Sequence, residues 1–291
     1  MAEVTASLVK ELRELTGAGM MECKKALVEV EGDVEKAVDA LRTAGLAAVA
    51  KKAGRVTNEG AVVALVSEDG SAGALVELNC ETDFVGMNEK FKAYAERIAQ
   101  AVLANKPATL EALNASPVDD TTVEALVADA IHTLGENIQL ARFAYSSIAG
   151  GAVSSYIHGA GKIGVLVEFE LSDASLATND DFKVYGRDIA MQVAAAAPVS
   201  VDRDSVDAAI VEHELSIYKA QAAESGKPEA IQEKMAQGRL DKYFKESCLT
   251  EQEYVKNPDQ TVMQYTDEVA KKLGGSIKIV AFTRFLLGEQ G

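Results

Sequence analysis

Residues 60–107 read GAVVALVSEDGSAGALVELNCETDFVGMNEKFKAYAERIAQAVLANKP, and residues 151–198 read GAVSSYIHGAGKIGVLVEFELSDASLATNDDFKVYGRDIAMQVAAAAP. Aligned without gaps at an offset of 91, the two stretches match at 17 of 48 positions, from the opening glycines to the closing prolines. Self-similarity over this length indicates that one structural unit occurs twice in the chain. The rest of the sequence can be placed relative to these two copies.

The pattern inside each copy predicts a hairpin followed by a helix. Residues 74–81 alternate with the period of a half-buried strand, and the apolar residues from Phe91 onward recur at helical spacing. Similarity resumes between residues 122–143 and 261–282 at an offset of 139, which adds a second helix and a third strand. Each unit is therefore predicted to be an α+β subdomain, strand-strand-helix-helix-strand, with its helices on one face of a three-stranded antiparallel sheet.

The second unit is interrupted by an insertion. Its matching blocks are separated by the 62 residues 199–260, whereas the first copy uses only the 14 residues 108–121. Two apolar stripes at helical spacing flank a turn at 225–228, which predicts a helical hairpin of the coiled-coil type. The stripes are Val211, Leu215, Tyr218 and Ala222, then Ile231, Met235 and Gly238. A contact arm and a passive spacer are equal alternatives for this hairpin.

The first 55 residues predict a small module of three short helices. Gly32 and Asp33 supply a break and an N-cap before the third helix. Residues 46–57 are interpreted as a linker whose charges are solvated. A module this small favours recognition by surface contact over chemistry. Its apolar stripes are Val4, Leu8, Leu12 and Leu15, then Met20, Cys23, Leu27 and Val30, then Val34, Val38 and Leu41.

These boundaries divide the chain into four predicted parts. Residues 1–55 form the N-terminal module and linker, and residues 56–150 form the first core subdomain. The second core subdomain comprises 151–198 and 251–291, and the hairpin of 199–250 is inserted within it. The predicted fold class is therefore α+β, with a three-helix module ahead of two duplicated subdomains.

Composition narrows the classes of function. The chain carries 45 acidic against 29 basic residues, a net charge of −16, so binding to a phosphate backbone, which depends on clustered Lys and Arg, is not expected. Cys23, Cys80 and Cys248 lie far apart without metal-binding spacing, which predicts buried thiols in a reducing compartment. No apolar run is long enough for a membrane span and we expect no signal peptide, so the cytoplasm is the default location.

No enzyme site is predicted. The segment Gly159–Gly164 matches G-x-G-x-x-G, but residues 165–171 alternate like a strand, whereas a dinucleotide site requires a helix there. His132, His158 and His213 share no ligand spacing, and no paired-carboxylate or Ser-His-Asp set stands out. We therefore expect no catalytic residues, metal or cofactor.

The two copies differ at one place where the flanking positions match. The first copy has Thr82-Asp83-Phe84-Val85, and the second has Asp173-Ala174-Ser175-Leu176. If Phe84 were required to close the core, a serine at the equivalent position would leave a cavity. This comparison predicts that Phe84 is exposed for a partner. Composition alone favours another interpretation, in which Thr82 or Asn88 caps the helix and Phe84 fills the core beneath the turn.

Three motifs, in order along the chain, resemble one family. They are LTGAGMMECKKAL at 15–27, NCETDFV at 79–85, and SYIHG at 155–159 followed by IGVLV at 163–167. Together they resemble the elongation factor Ts family over nearly the whole chain. The resemblance implies a UBA-like N-terminal module. It also implies a guanine-nucleotide exchange factor in translation elongation, which binds the GTPase elongation factor Tu in its GDP-bound and nucleotide-free forms.

The resemblance also implies which residues touch the partner. Asp83 and Phe84, within the motif Thr82-Asp83-Phe84-Val85, would enter the GTPase near its magnesium site, with residues 134–137 beside them. Residues 199–250 would act as a dimerisation or contact arm, and no direct contact with nucleic acid is implied. A passive adaptor without effect on nucleotide is the alternative, and stimulated GDP release separates the two. The other implied partner contacts are Arg13, Met20, Met21, Leu134, Gly135 and His158.

Overall fold

The computed structural model describes residues 4–16 and 18–289. Gly17, in the predicted first turn, lies outside the described residues, as do the outer ends of the predicted parts 1–55 and 251–291. The described chain contains a three-helix module, two α+β units and a helical hairpin inserted in the second, so the predicted fold class is confirmed. Within these residues, no helix is both long and apolar enough to cross a membrane.

The N-terminal module consists of α1 (Ala6–Thr16), α2 (Met20–Glu29) and α3 (Val34–Lys52). The Asp33 carboxylate accepts a hydrogen bond from Lys36 N at 3.1 Å, so the predicted N-cap is present. All three helices contribute to a small core. Its buried residues are Val9, Leu12, Ala18, Cys23, Ala26, Leu27, Ala37 and Leu41.

Two predictions about this module are wrong. Leu15 and Met20, assigned to the apolar stripes, are 65% and 55% exposed, because each lies at the end of its helix beside the turn between α1 and α2. Residues 46–52 are not a linker, since α3 continues to Lys52 through residues that favour helix, and only 53–57, mostly exposed, connect α3 to the first α+β unit. Lys52 Nζ donates a hydrogen bond to Ile131 O at 3.1 Å, which ties the module to the first unit.

The first α+β unit contains the predicted strand-strand-helix-helix-strand order, with two short helices and a pair of two-residue strands in addition. Its sheet has three antiparallel strands in the order β1 (Glu59–Val66), β2 (Ala72–Cys80) and β5 (Ile138–Ser147). Its two long helices pack on one face of the sheet around the buried Phe91 and Ile98. The elements are β1 (Glu59–Val66), β2 (Ala72–Cys80), α4 (Asp83–Gly86), α5 (Glu89–Asn105), α6 (Leu110–Ala115), β3 (Pro117–Val118), β4 (Thr121–Thr122), α7 (Val123–Leu134) and β5 (Ile138–Ser147).

The second unit repeats this arrangement around the insertion. Phe182, the counterpart of Phe91, is also buried. The elements are β6 (Gly151–His158), β7 (Ile163–Leu171), a 3-10 turn (Ala174–Thr178), α8 (Asp180–Ala196), α9 (Ala208–Ala223), α10 (Glu229–Ser247), β8 (Glu253–Tyr254), β9 (Asn257–Thr261), α11 (Val262–Leu273) and β10 (Ile277–Leu286). The sheet order is β10-β7-β6, again antiparallel.

The two sheets pack against each other through the faces that their helices leave free. Strand β2 is therefore buried on both faces, and the predicted half-buried strand is wrong. In the sequence, Glu77 interrupts the apolar run of β2, so the pattern does not indicate that the second face of the strand is also buried. This carboxylate is itself buried and pairs with Arg142 Nε at 2.7 Å. The apolar residues between the sheets are Val62, Leu75, Val153, Leu166 and Phe285.

The contact between the sheets is symmetric at the backbone. Val62 N donates to Gly161 O at 2.8 Å, and Val153 N donates to Gly70 O at 2.7 Å. Val62 and Val153 are equivalent in the repeat, as are Gly70 and Gly161, so the hairpin turn of each copy binds the first strand of the other. Gly164 permits this approach, since a Cβ there would lie 2.4 Å from Val62 Cγ1.

The insertion folds into the predicted helical hairpin, with α9 packed on α10. The predicted stripe of the second arm is wrong in register, because Ile231 and Gly238 are exposed whereas Ala236 is buried. The buried positions of α10 recur every fourth residue and so form one face towards α9. The packed residues are Val206, Leu240, Phe244 and Cys248, with the half-buried Val211, Leu215, Tyr218 and Tyr243.

Hydrogen bonds between its two ends close the base of the hairpin. Val199 N donates to Ser247 O, and Leu249 N donates to Ser200 O, both at 2.9 Å. Leu249 also belongs to the core of the second unit. The insertion therefore leaves and re-enters that unit at neighbouring points.

Candidate functional site

The Thr82-Asp83-Phe84-Val85 motif lies where β2 leads into α5. Residues 81–88 are named the motif loop below. Thr82 Oγ1 accepts a hydrogen bond from Val85 N at 3.4 Å and caps the short α4. Asn88 Oδ1 accepts one from Lys90 N at 2.9 Å and caps α5. Two separate caps therefore fix the direction of the chain through the motif.

The aromatic ring of the motif lies on the surface. Phe84 is 81% exposed, so the alternative in which it fills the core is wrong. Met87 and Asp83 are exposed beside it, whereas Val85 packs against the core of the first unit. An exposed aromatic and an exposed methionine together present apolar area that another protein surface can cover.

A single carboxylate holds the start of the loop. Glu136 Oε2 accepts hydrogen bonds from the backbone N–H groups of Glu81 at 3.0 Å and Thr82 at 3.1 Å. Glu136 Oε1 accepts one from the Thr82 hydroxyl at 2.6 Å. Hydrogen bonds to a carboxylate are stronger than those between neutral groups. The backbone directly before Asp83 is therefore held in a defined position.

Glu81 extends this network towards the N-terminal module. Its Oε1 accepts hydrogen bonds from Asn137 N at 2.6 Å and from Arg55 Nη1 at 3.3 Å. The Asn137 hydrogen bond, followed by the Arg55 side chain, lowers the pKa of Glu81, which keeps it ionised at neutral pH. Asn137 Nδ2 in turn donates to Arg55 O at 2.8 Å. The segment after α3 is thus tied to the motif loop.

Packing behind the loop is close. A Cβ on Gly86 would lie 2.9 Å from Gly60 O, so only glycine fits against the start of β1 without a backbone shift. Cys80 Sγ donates a hydrogen bond to Thr82 O at 3.1 Å. Burial, reinforced by the nearby Glu136 carboxylate, raises the pKa of the Cys80 thiol to about 12. Cys80 is therefore a neutral packing group at physiological pH.

Leu134 and Gly135 directly precede the carboxylate that holds the loop. Gly135 ends α7 with a φ of +80°, a conformation that favours glycine at the end of a helix. Leu134 packs, half-buried, against the core of the first unit. The turn at 134–137 therefore lies beside the motif loop, in the position expected for it.

The residues predicted as N-terminal contacts are linked to the motif loop through α7. Arg13, Met20 and Met21 are all exposed, Met21 at 76%. Helix α2, which carries both methionines, contacts the last turn of α7 through Glu22 Oε2 and His132 Nε2, which are 3.5 Å apart. Because α7 leads into the turn at 134–137, the two sets of residues share a structural connection.

His158 lies in the second unit, at the end of β6. It is exposed, and its Nδ1 is 3.1 Å from the hydroxyl of Tyr156. The hairpin turn that follows meets the start of β1, where Lys162 Nζ is 2.6 Å from Glu59 Oε2. Gly60, which follows Glu59 in β1, packs against Gly86 of the motif loop. The connection from His158 to the motif loop therefore runs through β1.

Glu136 lies in the stretch 134–137 that was expected beside the motif, but its hydrogen bonds to the loop were not predicted, and Arg55 was not among the predicted site residues. A signal for Glu136 was present in the sequence, because its counterpart at an offset of 139 is Gly275. The acid thus occurs only in the copy that carries Phe84. Arg55 gave no such signal, since it precedes the repeat and has no counterpart.

The described residues show neither a cluster of metal-ligating side chains nor a dinucleotide-binding turn. No group of three or more His, Cys, Asp or Glu side chains among them is placed to hold a metal ion. The G-x-G-x-x-G segment forms the turn between β6 and β7 and runs into a strand, not a helix. It therefore lacks the helix N-terminus that binds a pyrophosphate.

Comparison with known proteins gives the family. A family model described as Elongation factor TS matches residues 81–289, from the motif loop to the end of the second unit. The elongation factor Ts of Trichlorobacter lovleyi is 49% identical over 289 residues, covering 98% of this chain and 93% of the relative. That of Syntrophotalea carbinolica is 50% identical over 291 residues, covering 99% and 94%. That of a Clostridium botulinum strain is 48% identical over 287 residues, covering 98% and 93%.

These matches define the chain as a translation elongation factor. More narrowly, it belongs to the elongation factor Ts family, and the resemblance of its three motifs is confirmed.

Proposed function

We propose that this protein is a guanine-nucleotide exchange factor, which binds the GDP form of elongation factor Tu and promotes release of GDP so that GTP can bind. The observation that carries the proposal is the exposed ring of Phe84 on a loop whose backbone is held by Glu136. A loop already held in one conformation loses little entropy when it enters a partner.

In this proposal, Phe84 acts as a wedge and Asp83 as a competing hydrogen-bond acceptor. Mg²⁺ bridges the nucleotide phosphates and side chains of a GTPase, so moving the groups that position the ion weakens phosphate binding. The ring enters between packed elements of the partner, while the exposed carboxylate beside it attracts local donors. Neither action forms a covalent bond or requires contact with GDP. We therefore propose that the protein is not an enzyme.

The remaining contacts are proposed to hold the partner in place. Arg13, Met20 and Met21 are assigned to the GTPase domain, and His158 to another domain of the partner. Leu134 and Gly135 adjoin the motif loop. The net charge of −16 favours a protein partner over RNA. We place this complex in the cytoplasm.

Linkage gives the proposal a thermodynamic form. If the factor weakens GDP binding to the GTPase by a given ratio, GDP weakens binding of the factor by the same ratio. Excess GDP should therefore dissociate the complex. The factor should be most tightly bound when the GTPase is empty.

Release of fluorescently labelled GDP from elongation factor Tu, followed by stopped flow, tests the proposal. An exchange factor accelerates release up to a saturating rate. A passive adaptor would bind over the same concentration range and leave the rate of GDP release unchanged. That result would contradict the proposal. The matched control carries the second copy's sequence, Asp-Ala-Ser-Leu, in place of residues 82–85.

A further inference from the structure

The two copies end their second helices alike but continue with different residues. Gly135 and Gly274 both occupy the left-handed region, with φ of +80° and +71°. The following residue is Glu136 in the first copy and Gly275 in the second. The same backbone turn therefore exists with and without a carboxylate, which makes the second copy an internal comparison for the first.

In the second copy, the loop itself fills the space beside this turn. A Cβ on Gly275 would lie 2.7 Å from Leu176 Cδ1 and 2.7 Å from Ser172 Oγ. Ser172 N donates to Ser276 O at 3.1 Å, and Ser276 N donates to Ser172 Oγ at 2.9 Å. This loop packs directly on the turn, and the turn has no room for a larger residue.

In the first copy, the Glu136 side chain occupies the corresponding space. The N–H of Glu81, the counterpart of Ser172, binds the Glu136 carboxylate, and the same carboxylate binds Thr82 twice. In both copies the turn donates to the side chain of the first loop residue, Asn137 N to Glu81 Oε1 and Ser276 N to Ser172 Oγ. The copies differ in the acceptor for the N–H of that residue, which is the Glu136 carboxylate in the first copy and the Ser276 carbonyl in the second. The loop held in this way is the one that presents Phe84, where the second copy has Ser175.

From this comparison we propose that Glu136 is a positioning residue, which fixes the backbone of the motif loop through three hydrogen bonds so that Phe84 is presented to the partner. The inference rests on the proposed function of Phe84. The fold itself does not require the carboxylate, because the second unit forms the same turn with glycine. Glu136 therefore acts on exchange through the conformation of the loop and not through contact with nucleotide.

Two variants and one reporter test this role. Glu136→Gln removes the charge and one acceptor oxygen, and Glu136→Gly restores the residue of the second copy. The chain contains no tryptophan, so Phe84→Trp introduces a single fluorescent reporter on the loop. The matched control is Glu124→Gln, which removes an exposed carboxylate from the first turn of α7, the helix that ends just before Glu136.

In the isolated protein, we expect both Glu136 variants to lower the fluorescence anisotropy of the reporter. Amide hydrogen exchange should accelerate within residues 81–88 and stay unchanged in both sheets. With native Phe84, the maximal rate of stimulated GDP release should fall roughly tenfold, the scale of losing hydrogen bonds to a charged group. The concentration of this protein that gives half of the maximal rate should change less. The control Glu124→Gln should change none of these quantities.

Two results would overturn the role of Glu136. Unchanged fluorescence anisotropy and unchanged amide hydrogen exchange in residues 81–88 would mean that the carboxylate does not hold the loop. Faster amide hydrogen exchange throughout the first unit, together with a lower melting temperature, would mean that Glu136 stabilises the whole unit and does not specifically position the loop. If the unmodified protein does not accelerate GDP release, the proposed function fails, while the measurements on the isolated protein still decide whether Glu136 positions the loop.

Discussion

Phe84→Ala tests whether the ring serves the partner or the fold, because buried and exposed rings lose different contacts on truncation. Phe84 is 81% exposed, so about a fifth of the ~200 Å² of a phenylalanine side chain, roughly 40 Å², is in contact within the protein. At ~25 cal/mol per Å², its removal lowers the free energy of unfolding by about 1 kcal/mol at most. Truncation of a buried phenylalanine costs about 3–5 kcal/mol. The variant should therefore melt close to the parent protein.

The loss should appear in the complex. If the partner covers the remaining ~160 Å² of the ring, the same coefficient gives up to about 4 kcal/mol. A third of this value already corresponds to a factor of about ten, since 1.4 kcal/mol is tenfold. We expect stimulated release of labelled GDP, measured by stopped flow at equal factor concentration, to fall at least ~10-fold.

Two control variants separate stability from exchange. Phe91→Leu changes a buried ring in the same unit, so it should lower the melting temperature and leave GDP release intact while the protein is folded. Val184→Ala shortens an exposed side chain on α8 and should affect neither quantity. If Phe84→Ala melts many degrees lower, yet accelerates GDP release while folded, the ring belongs to the core and the wedge mechanism is wrong.

Three further predictions concern other parts of the chain. Replacing residues 204–246 with a short linker should leave a core that unfolds cooperatively in calorimetry, because the base of the hairpin remains closed; sedimentation would then report any self-association lost with the arm. Combined Met20→Ala and Met21→Ala should weaken association with elongation factor Tu without lowering the melting temperature, and unchanged affinity would assign both residues to structure. The unfolded Cys80 thiol loses its proton near pH 9 and the folded thiol only near 12, so stability should fall over this interval. Cys80→Ala should reduce that fall, and equal pH dependence in the two proteins would contradict the raised pKa.

The duplication made the fold largely predictable from the sequence. Each copy supplied an independent pattern for the same strands and helices, and the gap between matching blocks located the inserted hairpin. The exposure of Phe84 also followed from the repeat, because a serine stands at the equivalent position in the second copy. These features are local or periodic, so they are visible in a single sequence.

Contacts between distant elements were not predictable in the same way. Glu136 accepts a hydrogen bond from Thr82, 54 residues away in sequence, and no periodic pattern predicts such a contact. The second buried face of β2 was not recognised because Glu77 lies in it, a charged residue that is acceptable in the interior through its bonds to Arg142 and to the N–H of Gly288. The extension of α3 to Lys52 was missed because nearby charges suggested a linker, although the intervening residues favour helix.

The reciprocal hydrogen bonds of Val62 and Val153 give the core the geometry of a two-fold dimer within one polypeptide. In a true homodimer with such an interface, any residue on one half is present on the other. Covalent joining removes that restriction, so one half retains Phe84 and Glu136 while the other has Ser175 and accommodates the hairpin. The symmetry is kept in the backbone contacts between the sheets and broken at the surface, where the chain exposes the Phe84 ring on one half only.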